Sequence, residues 1–359
     1  MADSVRAAVT RVLYSGYIGE GPEVVAFERE LAARLGTTRV ITVNSGTSAL
    51  HLACHMSVDG AADAEIITTP MTNMATNTSI VQNGARIVWA DIDPLTGNID
   101  PDEIEAAITD KTRAIMMVHW GGSACDIDRI CEIGRAQGIP VIEDAAHALG
   151  SKYQGQPIGQ HSDFVAFSFQ AVKHVTTGDG GCLVCKAPEH DARGRLLRWY
   201  GIDRAMREDI DLRCEMDVAE AGYKFHMNDI AAATGRENLK HLDWILMRHR
   251  DNARFYDSAF RGANNITVVP ENPDGTAAYW IYTIHVANRD ELMQELQKLG
   301  IGSSKVHARN DTHSTFARFE RPLPKCEKFN RTHLCIPVGW WVSESDRERV
   351  AEAVIKFAR

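Results

Sequence analysis

The chain has no run of about 18 consecutive apolar residues, the length a membrane-spanning helix needs, so no transmembrane segment is expected. Its first residues, Met1-Ala2-Asp3-Ser4-Val5-Arg6, lack an apolar core followed by a cleavage site, so no secretion signal is expected either. Basic charge is short: 39 Lys and Arg stand against 48 Asp and Glu, a net charge of −9. That balance argues against nucleic acid or a membrane surface as a partner. Disulfide-like cysteine spacing is missing too. The eight cysteines, Cys54, Cys125, Cys131, Cys182, Cys185, Cys214, Cys326 and Cys335, are scattered and several lie in apolar runs, as reduced thiols buried in a cytoplasmic protein would. Cys182-Leu183-Val184-Cys185 is a C-x-x-C, but it has no second copy and sits in a strand-like run, which argues against zinc or redox chemistry. Asn77-Thr78-Ser79 and Asn310-Asp311-Thr312 match the glycosylation pattern, which means little without secretion. Internal repeats and low-complexity segments are absent.

What is present is an ordinary globular composition: 359 residues, 44% apolar and 24% charged, enough for about two domains. Residues 3–13 read as a short helix that Ser15-Gly16-Tyr17-Ile18-Gly19-Glu20-Gly21-Pro22 breaks. Pro22 starts a helix carrying Val25, Phe27, Leu31 and Leu35, and Gly36 closes it. Strands and helices then alternate. Strands are expected at 40–43, 66–67, 86–90, 114–118, 140–142, 164–169 and 182–184, with helices after Ser48 and at 73–83, 101–108 and 126–137. Apolar strands with amphipathic helices between them predict an α/β fold whose mainly parallel sheet is covered on both faces. A charged segment, 186–213, follows; helices are expected at 230–239 and 240–261. Strand signals at 279–286 and 334–336 and helices at 289–299 and 343–358 make a small α+β C-terminal domain, with the division at 240/241: a large domain 1–240, then linking helix and small domain 241–359.

In a mainly parallel sheet the ligand crevice lies at the carboxyl ends of the strands. Polar residues fall at those ends: Ser45-Gly46-Thr47, His119, Asp144, His147, Ser168 and Lys173. Ser45-Gly46-Thr47 between strand and helix forms an anion site, because first-turn N–H groups and the helix dipole both favour phosphate; capping alone would also explain the hydroxyls. Lys173 follows the apolar strand and precedes Gly178-Asp179-Gly180-Gly181. It either sits in solvent at a strand end or is buried with its amine in use. Asp144, after three apolar residues and before two alanines, needs a cation or several donors, unless it is a helix cap. One ligand combines a phosphate, a cationic ring nitrogen and an aldehyde for these three groups: pyridoxal 5′-phosphate (PLP). A metal site built from Asp144, His147, His119 and His174 has no supporting spacing, and no metal is expected.

Over about residues 14–356 the chain resembles the DegT/StrS-type sugar aminotransferases, fold-type-I PLP enzymes. The motifs occur in family order: Ser15-Gly16-Tyr17-Ile18-Gly19 with Gly21-Pro22, Asn44-Ser45-Gly46-Thr47-Ser48-Ala49-Leu50-His51-Leu52, Asp91-Ile92-Asp93-Pro94, and Glu143-Asp144-Ala145-Ala146-His147. Ser168-Phe169 with Lys173, Gly178-Asp179-Gly180-Gly181 and Gly222-Tyr223-Lys224-Phe225 follow. The resemblance implies that Lys173 bonds to the cofactor aldehyde and shuttles protons, that Asp144 pairs with the ring nitrogen, and that Gly46, Thr47 and Ser168 hold the phosphate, with Ser45 beside them. It places His147, where the family often has glutamine, beside the ring. It implies that the Gly222–Phe225 segment reaches a partner subunit, giving a homodimer with shared active sites.

Three departures from the family stand out. Asn73 occupies a position where many members have a ring-stacking aromatic, and His226 one where many have an asparagine that reaches the neighbour's phosphate, a role Asn228 could also fill. The chain also starts later than most members. The implied reaction is ping-pong amino transfer from L-glutamate to a nucleotide-linked ketosugar, with Tyr17, Trp120, Trp199, Arg204, His307, Arg309 and His313 as candidate contacts. The Thr69-Pro70-Met71-Thr72 and His119-Trp120-Gly121-Gly122 variants look like members acting on 4-keto-6-deoxyhexoses, GDP-linked ones among them, in aminosugar, lipopolysaccharide or glycosylated-metabolite biosynthesis. Rival readings are an aminocyclitol ketone as acceptor, sugar dehydration, in which a histidine typically replaces the lysine, a non-catalytic sensor domain, and a metal-dependent lyase.

Overall fold

Strands that are apolar on both faces need a helical layer on each side. The computed structural model, which describes residues 1–204 and 217–359, has that arrangement. Its strands are β1 (Val40–Val43), β2 (Glu65–Thr68), β3 (Arg86–Trp89), β4 (Thr112–Val118), β5 (Val141–Asp144), β6 (Lys152–Tyr153), β7 (Gln156–Pro157), β8 (Phe164–Ser168), β9 (Gly181–Cys185), β10 (Thr267–Val268), β11 (Gly275–Thr276), β12 (Tyr282–His285) and β13 (His333–Ile336). The main sheet runs β1-β9-β8-β5-β4-β2-β3. All its neighbours are parallel except β9, which pairs antiparallel with both β1 and β8. Alternation along each strand sends side chains to two separate cores. Val40, Ile67, Met117 and Val165 pack on one side; Ile41, Ile66, Met116 and Ala166 pack on the other.

The helices are α1 (Val5–Leu13), α2 (Pro22–Leu35), α3 (Gly46–Val58), α4 (Met74–Gln82), α5 (Pro101–Ala107), α6 (Ile127–Gln137), α7 (Pro188–Leu197), α8 (Asp229–Leu239), α9 (Leu242–Ala259), α10 (Arg289–Lys298), α11 (Pro324–Thr332) and α12 (Glu344–Phe357). Phe27 and Leu31 of α2 and Ile127 and Ile130 of α6 cover the first face. Leu50 and Leu52 of α3, Ile80 of α4 and Phe329 of α11 cover the second. Asp229, just after the Gly222–Phe225 motif, accepts hydrogen bonds from the amides of Gly21 and Val24, so two distant motifs meet at the start of α2. Asp91 of the Asp91–Pro94 motif acts structurally, since its carboxylate accepts from the first amides of α11, Lys325 and Cys326.

The C-terminal sheet, β10-β12-β13, is antiparallel and packs against α9, α10 and α12 around Tyr256, Ile284, Leu296 and Val354. The two helices expected on either side of residue 240 are present as α8 and α9. Two details differ from the sequence expectation. The strand expected from 279 begins at Tyr282, because Tyr279 has a left-handed backbone (φ 50) and Trp280 N–H donates to Gly121 O instead of to a strand. The stretch carrying Phe316, Phe319, Leu323, Cys326 and Phe329 returns to the main-sheet core.

Cys182 and Cys185 lie on opposite faces of β9, one in each core, so they form no pair. Cys214 and part of the charged segment 186–213 lie outside the described residues. Among the described residues no helix is long and apolar enough to cross a membrane.

Candidate active site

Because β9 runs against its neighbours, it starts where β1 and β8 end. Gly181 lies between them: a Cβ there would come within 2.6 Å of Gly46 N and of Phe167 O. Gly46 opens α3 hard against Ser168, with 2.8 Å between a would-be Cβ and the serine Cβ. Glycine at both positions lets a helix N-terminus close on a strand end. Ser45 caps α3 by accepting from Ser48 N–H at 3.0 Å. The first-turn amides of Gly46 and Thr47 have no acceptor inside their own helix, and they border Ser168 in one cavity. The capping reading of this stretch is met by the Ser45 hydroxyl, which leaves the Gly46 and Thr47 amides to the anion-site reading.

That cavity, of about 410 Å³, brings together Ser45, Gly46, Thr47, Asn73, Asp144, His147, Ser168, Lys173 and His307 from the sequence-derived set. Asp144 ends β5 and is 5% exposed; its carboxylate accepts from Thr76 Oγ1 at 2.6 Å and from Ala146 N–H at 3.1 Å. Lys173 is half-buried, with its Nζ 3.9 Å from the centre of the Trp280 ring. Loss of water around the amine lowers its pKa from 10.5 to about 8, and the Asp144 charge works against that shift. His174 faces elsewhere: its Nε2 lies 3.1 Å from Ala278 O and its ring packs on His249. Of the adjacent pair, only Lys173 borders the cavity.

The His147 ring stacks on Trp280 with 3.9 Å between centres and lies nearly parallel to His307. Burial, then the nearby Lys173 charge, holds His147 well below its ordinary pKa, and the same two causes bring His307 to about 4, so both rings are neutral. His147 Nδ1 is buried without a partner among the described residues. His119, expected at the crevice, turns inward instead. It is 0% exposed and its Nε2 meets Glu143 Oε2 at 2.7 Å.

Asn73 sits at the cavity rim and caps α4, accepting from Ala75 N–H. His226 and Asn228 do not line their own chain's cavity. His226 bridges β1 at Val43 and lies against Trp199, while Asn228 caps α8. Tyr17, Trp199 and Arg204 gather on the same side: Arg204 reaches the Tyr17 hydroxyl at 3.1 Å and covers one region of the Trp199 ring, with Lys224 Nζ 3.7 Å from its centre. Trp120 is 3% exposed and donates to Thr283, away from the cavity. Arg309 is paired with Asp311, and His313 begins the turn Ser314–Phe319.

Sequence reasoning missed Trp280 and Thr76. Trp280 was hidden in a strand-like run. Thr76, in the first turn of α4, meets the hydroxyl of Thr72 just before that helix, a pair that carried no chemistry in the sequence until Asp144 was seen beside it.

PLP needs donors for a phosphate, an anion for its ring nitrogen and an amine for its aldehyde, and the cavity supplies all three. The cradle at Gly46 would be filled by any side chain, and the orphaned Nδ1 of the cavity-lining His147 is a polar atom still without a partner among the described residues. The residues present fit the cofactor. One consequence is a pH dependence. Only the unprotonated amine of Lys173 can attack an aldehyde, so the rate at which apoenzyme captures PLP covalently is expected to rise with pH, pass half its maximum near 8 and level off above that. The sign follows from the cause: desolvation disfavours the ammonium, so the folded chain releases this proton at lower pH than the unfolded chain. Stopped-flow absorbance between pH 6 and about 10 reads it; a rate still climbing at the ordinary lysine value near 10.4 would mean a fully hydrated amine.

Known proteins resemble this chain along nearly its whole length. Residues 1–355 match the model of the DegT/DnrJ/EryC1/StrS aminotransferase family. The spore coat polysaccharide biosynthesis protein SpsC of Bacillus subtilis is 36% identical over 96% of this chain and 92% of its own length. The sugar aminotransferase CalS13 from Micromonospora echinospora superposes with a TM-score of 0.95 at 39% identity, covering 99% of this chain and 98% of that one. Spr1654 from Streptococcus pneumoniae, solved in a PLP form, superposes with a TM-score of 0.91 at 29% identity, covering 99% and 96%. The fold, the cofactor and the reaction class follow together: this chain is a PLP-dependent aminotransferase and belongs to the DegT/DnrJ/EryC1/StrS family of sugar aminotransferases.

Proposed function

We propose that the enzyme moves the amino group of L-glutamate to the ketone of a nucleotide-linked sugar, with 4-keto-6-deoxyhexoses as the acceptor class. The observation that carries this reading is the pairing in one cavity of a partly desolvated Lys173 amine with a buried, hydrogen-bonded Asp144 carboxylate, while His174 points away. That register favours amino transfer over dehydration. Names of relatives support a sugar acceptor: CalS13 is a sugar aminotransferase, and SpsC serves polysaccharide biosynthesis.

Bound PLP supplies an electron sink and a carrier for the amino group between the two halves of the reaction. The Gly46 and Thr47 amides, with the Ser168 hydroxyl and Ser45 beside them, would hold its phosphate at the start of α3. Asp144 would oppose the charge of a protonated ring nitrogen. Lys173 Nζ would bind the aldehyde, and as a base it would accept the proton leaving the donor carbon and deliver one on the acceptor half. His147, Asn73 and His307 line the same cavity and would bound the cofactor and acceptor.

His226, Asn228, Tyr17, Trp199 and Arg204 serve a neighbouring subunit's cavity in this reading, which makes the enzyme a homodimer. Their place outside their own cavity, in a group rich in cations, supports it. Arg309 and His313, on the segment after His307, are further acceptor contacts in this reading, and Trp120 backs the His307 ring. The division into residues 1–240 and 241–359 is supported by the separate core around Tyr256 and Ile284. The unpaired thiols among the described residues support a reducing cytoplasm.

A panel of nucleotide-linked ketosugars incubated with holoenzyme and L-glutamate, read by mass, tests the proposal. At least one 4-keto-6-deoxyhexose should exchange its carbonyl oxygen for an amine. Amine transfer confined to a keto-cyclitol, or loss of water with no nitrogen gained, would overturn it.

A further inference from the structure

Two buried asparagines lie outside the cavity and outside every role assigned so far. Asn77 and Asn310 are 0% and 1% exposed. Both head triplets of the glycosylation pattern, and neither is reachable by a glycan in the folded chain. Asn77 stands within α4, where an asparagine is a poor helix former, so its presence calls for another cause. Its Nδ2 donates to Asn310 Oδ1 at 2.9 Å and to Thr69 O at 3.1 Å, and its Oδ1 accepts from Thr68 Oγ1. Asn310 Nδ2 donates to Thr72 O at 2.8 Å, and its backbone N–H donates to Pro70 O. Both side-chain amides are thus fully engaged. A satisfied buried network holds one arrangement, because a displaced amide finds no water to replace its partners.

The network joins two sides of the active site. On one side is the segment Thr68–Thr76, whose Thr72 and Thr76 hydroxyls lie 2.7 Å apart and end on Asp144. On the other is the segment that leads from His307 to the Arg309–Asp311 pair. The buried Nε2 of His307 has no hydrogen-bond partner among the described residues, so its ring is held by contacts with His147, Trp280 and Trp120 and by the backbone that carries it. We infer that Asn77 and Asn310 form a latch that sets His307 at a fixed distance from Asp144. They are positioning residues, acting through His307, for the acceptor half of amino transfer. Only the kinetic arm of the test rests on the proposed acceptor.

The first arm labels histidines of the holoenzyme with diethyl pyrocarbonate and maps them by peptide mass. In Asn310→Ala, His307 should react at least about tenfold faster, the factor that loss of a few hydrogen bonds permits, while the fully buried His119 stays protected. Unchanged His307 labelling overturns the latch. Equal unmasking of His119 overturns it too, since the asparagines would then merely stabilise the fold. Asn77→Ser, which leaves Asn310 in place, must give the same pattern and serves where Asn310→Ala does not fold. In the second arm, Asn310→Ala should lower kcat/KM for the ketosugar about tenfold and leave the glutamate-driven change of the visible band within about twofold. The Asn310→Ala/His307→Ala pair should match His307→Ala alone; losses that multiply overturn the proposal. A wild-type enzyme that aminates no ketosugar would sink the acceptor reading, while the labelling result decides the latch on its own.

Discussion

Lys173→Ala is expected to give a colourless protein with amino transfer lowered by at least about 10⁴-fold. Two losses combine. Covalent capture of the aldehyde needs an amine within the cavity, and Lys173 carries the cation that stands against Trp280 there. Proton transfer between carbon atoms by a positioned base contributes roughly 10² to 10⁴ on its own. The wild-type holoenzyme should be yellow, and its visible band should shift when glutamate is added. His174→Ala is the matched control. His174 contacts Ala278 O and His249 behind the loop, so this variant should keep the band and most of the activity. Absorbance spectra with and without glutamate, followed by coupled assay of 2-oxoglutarate release, separate the outcomes. Loss of the band in His174→Ala but not in Lys173→Ala would place the wrong residue on the cofactor.

The strand-end position of Lys173 could be read locally, since an apolar strand, a closing glycine turn and a second strand leave few places for the intervening lysine. Its register against His174 came only from the family resemblance, because two adjacent residues after a strand look alike in a local pattern. Asp144 and Ser45-Gly46-Thr47 were legible locally too, since strand ends gather on one edge of a parallel sheet whatever the order of strands. The direction of β9 was not legible: pairing depends on partners far along the chain, and a short apolar run looks alike either way. His119 shows where strand-end reasoning stops. It stands one residue past β4, yet its ring turns into the core because Glu143 offers it a buried carboxylate. Trp280 became visible only in three dimensions. A backbone hydrogen bond donated by Trp280 N–H to Gly121 O and a left-handed Tyr279 lift it out of the strand that its neighbours suggest, and its indole N–H then reaches Val172 O beside the lysine. Asn77 and Asn310 carried a surface motif in the sequence and are interior residues in the fold.

Asp144→Asn should retain the fold and the bound cofactor but lose about 10³-fold in kcat. The substitution keeps the size of the side chain and removes its charge. A carboxylate facing a ring nitrogen in a water-poor cavity is worth far more than the same charge in solvent. Without it the ring nitrogen binds its proton less tightly, so the pH response of the visible band should differ from wild type. Thr76→Val separates charge from geometry. It leaves the carboxylate charged but removes the 2.6 Å donor to Oδ2 and breaks the link to Thr72. Hydrogen bonds to charged groups contribute about 1.5–3 kcal/mol, so a loss of about 10- to 100-fold is the ceiling if Thr76 alone aims the carboxylate. Ala146 N–H still holds Oδ1, and the loss should fall at the lower end. The band in Thr76→Val should keep its wild-type pH response. If Thr76→Val instead matched Asp144→Asn in both rate and band, aim rather than charge would be what Asp144 contributes; if Asp144→Asn kept full activity, the cofactor ring would have to lie elsewhere in the cavity.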